Sequence, residues 1–66
     1  MVTGTKTISI ALELSDTEAW TLAQFLKRVG FMDFRSNAQD DAEAYAMRDA
    51  AERVRTALAE AGYAPR

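Results

Sequence analysis

Hydrophobic and polar residues alternate at the start of the chain. Aliphatic side chains occupy every second position there, namely Ile8, Ile10, Leu12 and Leu14. Small and hydroxyl residues fill most of the positions between them, so the aliphatic side chains of an extended segment would all lie on one face. A period of two with β-branched residues is typical of a half-buried strand. The pattern therefore predicts a strand over about residues 6–13.

A helical period replaces the alternation after this segment. Ser15 and Glu18 have the spacing of a capping box, in which each side chain binds the backbone N–H of the other residue. The apolar residues that follow cover an arc of about 220°, which is wider than the stripe of an ordinary surface helix. Gly30 is able to adopt the left-handed conformation that ends many helices. We therefore predict a helix over about residues 16–29 that is buried on more than one side.

A second helix is predicted over about residues 38–61. Two signals compete for its start, a cap at Ser36 or Asn37 and a capping box formed by Asp40 and Glu43. Apolar residues form a heptad-like seam along this helix, consisting of Met47, Ala50, Ala51, Val54, Ala57, Leu58 and Ala61. The seam predicts a long helix that is covered along one side.

An apolar connection links the two helices. Phe31, Met32 and Phe34 lie close together in it. Either these side chains close one end of the core, or they form an exposed knob for a partner. Gly62 marks the end of the second helix, since glycine is the preferred residue after a helix C-terminus.

These elements predict an α+β fold with the order β-α-α. The chain forms one domain over residues 1–66, and residues 1–4 are expected to be a flexible N-terminus. A single strand leaves its backbone N–H and C=O groups without partners, so we predict a homodimer whose strands pair antiparallel between the subunits. The alternatives are a strand that lies across the helices or pairs with a sheet of another protein. The predicted dimer interface comprises Ile8, Ile10, Leu12, Trp20, Leu22 and Leu26.

The amino-acid composition limits the chemistry of the chain. Its 66 residues include no cysteine and no histidine. This excludes disulfides, zinc sites with thiolate or imidazole ligands, and imidazole catalysis. No serine has a candidate base, so we expect no enzymatic activity, no cofactor and no metal site. Proteins of this size usually gain stability from a disulfide, a metal or a partner chain. Of these three sources of stability, a partner chain is the one that remains for this protein.

The charge is mildly acidic, at −2 from 10 acidic and 8 basic residues. Nucleic-acid-binding domains are usually basic, so this balance disfavours that function. No apolar run reaches the roughly 18 residues of a membrane span, and the N-terminal residues lack the apolar core of a signal peptide. We expect a cytoplasmic protein that does not bind membranes.

The polar side of the second helix carries the predicted partner-binding residues. They are Tyr45, Asp41, Arg48, Asp49 and Glu52. An aromatic residue surrounded by charges has the composition of a polar protein interface. A tyrosine that only lies over its neighbours is the alternative. The acidic run at residues 40–43 is also explained by the helix dipole, which favours carboxylates in the first turn.

The β-α-α order resembles the ribbon-helix-helix fold of small bacterial repressors and antitoxins. Residues 6–12 look like the ribbon of that family, and residues 15–18 look like the cap of its first helix. The resemblance implies that outward side chains of the ribbon read the major groove of DNA, which are Thr5, Thr7 and Ser9 here. Acidic residues at the start of the second helix oppose phosphate binding, and the ribbon offers no arginine, asparagine or glutamine for base contacts.

Four stretches of the chain look like a family of short bacterial proteins that occur in genomes and mobile elements and have no assigned activity. The stretches are residues 14–20, 24–30, 40–45 and 57–66, and the similarity covers about residues 12–66. The leading hypothesis is a non-enzymatic homodimer that binds another macromolecule stoichiometrically, as an inhibitor or anti-defence factor of a mobile element does. The alternative is a ribbon-helix-helix regulator or antitoxin that binds DNA.

Overall fold

The computed structural model describes residues 6–66, in which three helices follow an extended segment. Helix α1 comprises Asp16–Arg28, α2 comprises Phe31–Ser36 and α3 comprises Asp41–Glu60. Both α1 and α2 pack against α3. Residues 6–15 have an extended backbone but form no strand. The described part of the chain is therefore all-helical.

The predicted α+β fold is wrong. Residues 6–13 were predicted to form a strand, but residues 6–66 contain no sheet. A strand is defined by a hydrogen-bond ladder to a neighbour, whereas alternating side chains show only that the two faces of an extended segment differ. The ribbon-helix-helix arrangement, with antiparallel strand pairing between subunits, is overturned with it. The alternating residues instead run as an extended segment beside the helices.

The capping box at the start of α1 is confirmed. The Ser15 hydroxyl oxygen accepts a hydrogen bond from the Glu18 N–H at 3.1 Å, and the Glu18 carboxylate accepts one from the Ser15 N–H at 2.9 Å. The helix ends at Arg28, close to the predicted end. Gly30 does not adopt the predicted left-handed conformation. Its φ is −110°, and it is the residue before the first residue of α2.

The short helix α2 replaces the predicted irregular connection. The Asp33 carboxylate accepts a hydrogen bond from the Gly30 N–H at 2.8 Å, which satisfies one donor at the start of the helix. Phe31 and Phe34 are half-buried, whereas Met32 is 74% exposed. The connection thus both contributes to the core and presents one apolar side chain to solvent.

Helix α3 starts later than the predicted start at residue 38. Asp40 is the N-cap, and its carboxylate accepts a hydrogen bond from the Glu43 N–H at 2.9 Å. The Glu43 carboxylate accepts one from the Gln39 N–H at 2.6 Å. Of the two competing start signals, the cap at Asp40 is confirmed, but Glu43 bonds the Gln39 N–H and not the Asp40 N–H, so the reciprocal half of the predicted capping box does not form.

The end of α3 is closed by a Schellman motif. Gly62 has a φ of 102°, in the left-handed region. Its N–H donates to the Ala59 carbonyl at 3.0 Å, and the Tyr63 N–H donates to the Leu58 carbonyl at 2.8 Å. These two bonds satisfy carbonyls that would otherwise be unpaired at the helix end, as this motif requires.

The core of the described chain is small. Its buried residues are Ala19, Ala23, Ala44 and Leu58. Two of these alanines let α1 approach Leu58 of α3 closely, and Leu22, Leu26 and Tyr63 pack around this contact. Because alanine side chains bury little area, this core contributes modestly to the free energy of unfolding.

The two glycines that flank helices provide a matched test of the backbone. We expect Gly62→Ala to lower the free energy of unfolding by about 1–2 kcal/mol, because a left-handed φ strains any residue with a Cβ atom. An added Cβ meets no atom within 4 Å there, so backbone strain is the only cause.

Gly30→Ala is the control for this prediction. The added Cβ would make an ordinary contact of 3.8 Å to Asp33, and φ is negative at this position. We expect an unchanged free energy of unfolding or a gain of about 0.5 kcal/mol. Urea denaturation of both variants measures the difference. Equal losses of the free energy of unfolding in the two variants would contradict the assignment of backbone strain to position 62.

Candidate interaction surfaces

The extended segment, α1 and α3 together enclose an apolar groove of about 240 Å³. Its lining consists of Ile10, Leu12, Leu14, Leu22, Val54, Ala57, Leu58 and Ala61. We call this set the apolar groove. Since its lining carries no charged or polar side chain, it offers no group for catalysis or ion binding. It suits an apolar occupant.

The apolar groove is partly open to solvent. Ile10 is 78% exposed and Leu12 is 67% exposed on the extended segment, and Val54 is 41% exposed on α3. Within the described range, residues 6–14 take part in no backbone–backbone hydrogen bond. An exposed apolar surface of this kind makes the groove a candidate interaction site.

The heptad-like seam of α3 is divided between the core and this surface. Its members Met47, Ala51 and Leu58 are buried or half-buried. Its members Ala50, Val54, Ala57 and Ala61 are exposed. Helix α1 therefore covers one edge of the seam and leaves the other edge free. We call the exposed members the free edge of α3.

Most of the residues predicted to form the dimer interface lie in or near the apolar groove. Ile10, Leu12 and Leu22 line it, and Ile8 is exposed on the same extended segment. Leu26 packs against the core. Trp20 contacts Tyr63 instead and keeps part of its surface exposed.

A second surface lies where α2 meets α3. The ring centroids of Phe31 and Tyr45 are 4.9 Å apart with the planes tilted by 40°. The Arg48 guanidinium lies 5.0 Å from the Tyr45 ring centroid and donates to the Asp49 carboxylate at 3.1 Å. We call these four residues the aromatic cluster. Tyr45 thus lies over its neighbours and still keeps about half of its surface exposed.

The other predicted partner-binding residues have different environments. The Asp41 carboxylate accepts a hydrogen bond from Arg35 Nε at 2.6 Å, so it ties α2 to the first turn of α3. Glu52 lies 3.8 Å from Arg55 on the exposed side of α3. Along residues 6–66 no group of acidic side chains is arranged to hold a metal ion. Asp40, Asp41 and Glu43 each take part in a local contact, and Asp41 and Glu43 lie in the first turn of α3, where the helix dipole favours carboxylates.

The residues assigned to DNA reading by the resemblance are not arranged as a reader. Thr7 and Ser9 are exposed on the extended segment. Thr5 lies outside the described residues. Because the described chain forms no paired ribbon, nothing presents these hydroxyls together toward a major groove.

Tyr63 joins the C-terminal residues to α1, a role that sequence analysis missed. Its ring packs edge-on against Trp20 with centroids 5.0 Å apart, and its hydroxyl donates to the Asp16 carboxylate at 2.8 Å. This hydrogen bond, with desolvation and the negative charge of Asp16, raises the pKa of Tyr63 above its ordinary value of 10.0. The available signal was the pair Gly62 and Tyr63, since an apolar residue after such a glycine usually contacts the last turn of the helix.

The described residues form three helices and expose two candidate surfaces, the apolar groove and the aromatic cluster. Among the described residues, no helix has the length and apolarity to cross a bilayer. The chain matches the profile of a protein family over residues 1–66, and it belongs to that family, described as Family of unknown function (DUF7706). No curated protein and no solved structure matches it. The expected membership of a family without assigned activity is confirmed, whereas the mobile-element setting stays a prediction.

Because of the contact between Tyr63 and Asp16, the free energy of unfolding depends on pH in the alkaline range. The folded chain favours the neutral phenol, so this contribution is fully present below pH 10 and is lost as the pH rises through the raised pKa of Tyr63. In a Tyr45→Phe background, Tyr63 is the remaining tyrosine and its ionisation is read directly from ultraviolet absorbance.

We expect Asp16→Asn to shift this ionisation to lower pH, because the substitution removes the carboxylate charge that opposes phenolate formation. Urea denaturation should also show a smaller loss of stability between neutral and alkaline pH in this variant. Identical absorbance titrations with and without the carboxylate would contradict the contact.

Proposed function

We propose that this protein is a small, non-enzymatic interaction protein that acts as a homodimer and binds another macromolecule stoichiometrically. The observation that carries the proposal is the exposure of large apolar side chains beside a small core. Ile8, Ile10 and Leu12 are all more than half exposed, although they form one face of one segment. Monomeric proteins rarely leave such a face uncovered.

The accessible surface of the chain supports a partner of substantial size. It is 5380 Å², whereas a compact monomer of 7.3 kDa exposes about 4,200 Å². The excess of about 1,200 Å² is an upper limit for the area left to partners, because an extended segment and chain ends add area of their own. It exceeds the roughly 800 Å² that each side of a standard protein interface buries.

The chemistry of the side chains favours binding over catalysis. The chain has neither cysteine nor histidine, and the apolar groove contains no acid, base or nucleophile. The aromatic cluster offers a tyrosine and an arginine, two residue types that dominate binding energy at protein interfaces. Two surfaces of different composition support two contacts, an apolar one between copies and a polar one to a different macromolecule.

The setting we propose is the cytoplasm of a bacterium, where the protein would act as an inhibitor or anti-defence factor of a mobile element. Its acidity and its mixed-charge aromatic cluster support a protein as the partner. A DNA-binding regulator is the weaker candidate, because the described residues form no ribbon and the net charge is −2.

Ile10→Asp tests the homodimer. Because Ile10 is 78% exposed in the single chain, the substitution should leave the helices formed. It would place a charge in the apolar interface of a dimer, where an unpaired charge is costly. We expect light scattering to give about 15 kDa, twice the chain mass, for the unchanged protein and 7.3 kDa for the variant.

Ala11→Asp is the matched control, since it adds the same charge at the next position on the opposite face of the segment. It should remain a dimer, and circular dichroism should show equal helix content in all three proteins. An unchanged protein that stays folded at 7.3 kDa would overturn the homodimer.

Tyr45→Ala combined with Asp49→Arg tests the polar surface. We expect the double variant to lose binding of the macromolecular partner, because it removes the exposed ring and reverses a charge beside Arg48. Asp49→Arg alone separates binding from folding, since Tyr45 also contacts Phe31. Affinity capture followed by native mass spectrometry measures the stoichiometry of the complex.

Lys27→Glu provides the control for this surface, because it changes charge at an exposed position of α1 that forms no part of the aromatic cluster. The Lys27→Glu variant should bind the partner as the unchanged protein does. Full binding by the Asp49→Arg and double variants would contradict the assignment of the polar surface, and a complex formed with duplex DNA instead of a protein would support the regulator.

A further inference from the structure

We propose that two copies of the chain associate through the free edge of α3, with the two α3 helices antiparallel across a two-fold axis. The inference rests on the proposed homodimer and specifies its geometry. It replaces strand pairing by helix packing as the contact between the copies. Three features of the described residues carry it: the spacing of the free edge, the charges beside it and the apolar groove.

The spacing of the free edge is that of a coiled-coil seam. Ala50, Val54, Ala57 and Ala61 are separated by alternating steps of four and three residues, as the a and d positions of a heptad are. In an antiparallel pair, Val54 lies opposite the partner's Ala57, and Ala50 lies opposite the partner's Ala61. A two-fold axis near the middle of the helix makes both contacts occur twice.

The charges beside the free edge select this orientation. Arg53 and Glu60 occupy equivalent heptad positions two turns apart, both are exposed, and both line a shallow groove next to Ala57. Neither forms an ion pair with any other described residue. In the antiparallel arrangement these positions face each other, so Arg53 meets the partner's Glu60 on one side and Glu60 meets the partner's Arg53 on the other.

A parallel arrangement would not use these charges. In a parallel pair, Arg53 would face the partner's Leu58, which is buried within its own subunit, and Glu60 would face the partner's Pro65, beyond the end of α3. Charges across an interface fix orientation and register more strongly than they raise affinity. The pattern of one positive and one negative charge is complementary to itself only in the antiparallel sense.

The apolar groove explains how the interface reaches sufficient area. It borders the free edge on the side opposite Arg53 and Glu60, and it shares Val54, Ala57 and Ala61 with that edge. Ile10 and Leu12 form its open rim, so they would cover the flank of the partner's α3. A second copy is the occupant that these features support, because the surface is apolar at its centre and self-complementary in charge at its edge.

Charge reversal tests the arrangement in the full-length chain. Arg53→Glu and Glu60→Arg each place like charges together twice per dimer, so each should raise the dissociation constant of the dimer by about tenfold at low salt. The double variant, Arg53→Glu with Glu60→Arg, restores opposite charges and should return the constant to its original value. Sedimentation equilibrium measures all four proteins, and high salt should reduce the differences.

Lys27→Glu is the matched control for Arg53→Glu, since it makes the same change of net charge at an exposed position of α1, outside the interface. It should leave the dissociation constant unchanged, and circular dichroism should show that every variant keeps its helices. A folded, monomeric unchanged protein would overturn both the homodimer and this interface. A dimer that responds to neither reversal, or that the double variant fails to restore, would overturn the α3 interface alone.

Discussion

The contact of Ala19 and Ala23 with Leu58 holds α1 against α3, and the rest of the structure is arranged around it. Small side chains allow the two helices to approach closely, but they remove little apolar area from water, and burial is worth only about 25 cal/mol per Å². Ordering each residue of the chain costs about 1–2 kcal/mol of backbone entropy. A core this small therefore leaves little surplus, and polar contacts at the helix ends and association with other chains gain importance.

Those polar contacts occur where helices begin and end. Ser15 and Asp40 cap α1 and α3, Gly62 closes α3, and Asp33 caps α2 through the Gly30 N–H. A capping contact is worth about 1 kcal/mol, comparable to the burial of a small side chain, so these local bonds determine the boundaries of the helices. The ion pair between Arg35 and Asp41 then connects α2 to α3, and the hydrogen bond between Tyr63 and Asp16 connects the C-terminal residues to α1.

The helix boundaries that depend on local chemistry were predictable from the sequence. The capping box at Ser15 placed the start of α1, and the signal at Asp40 correctly competed with the earlier one. Helix α2 was missed because it is short and starts at a glycine, which has no side chain to provide a cap. The strand was predicted wrongly at residues 6–13 because alternation describes which face each side chain takes, whereas a sheet also requires a second strand for its hydrogen bonds.

The candidate surfaces were predictable only in part, and the reason is physical. A periodic apolar pattern shows that one side of α3 avoids water, but it does not show which residues the rest of the chain covers. The structure supplies that division. Leu58 packs against Ala19 and Ala23 of α1, whereas Val54, four residues earlier on α3, remains exposed. Apolar contacts are not directional, so they would accept many occupants. Under the proposed interface, the charges of Arg53 and Glu60 restrict the choice, because their order along the helix is complementary to a second α3 only in the antiparallel sense.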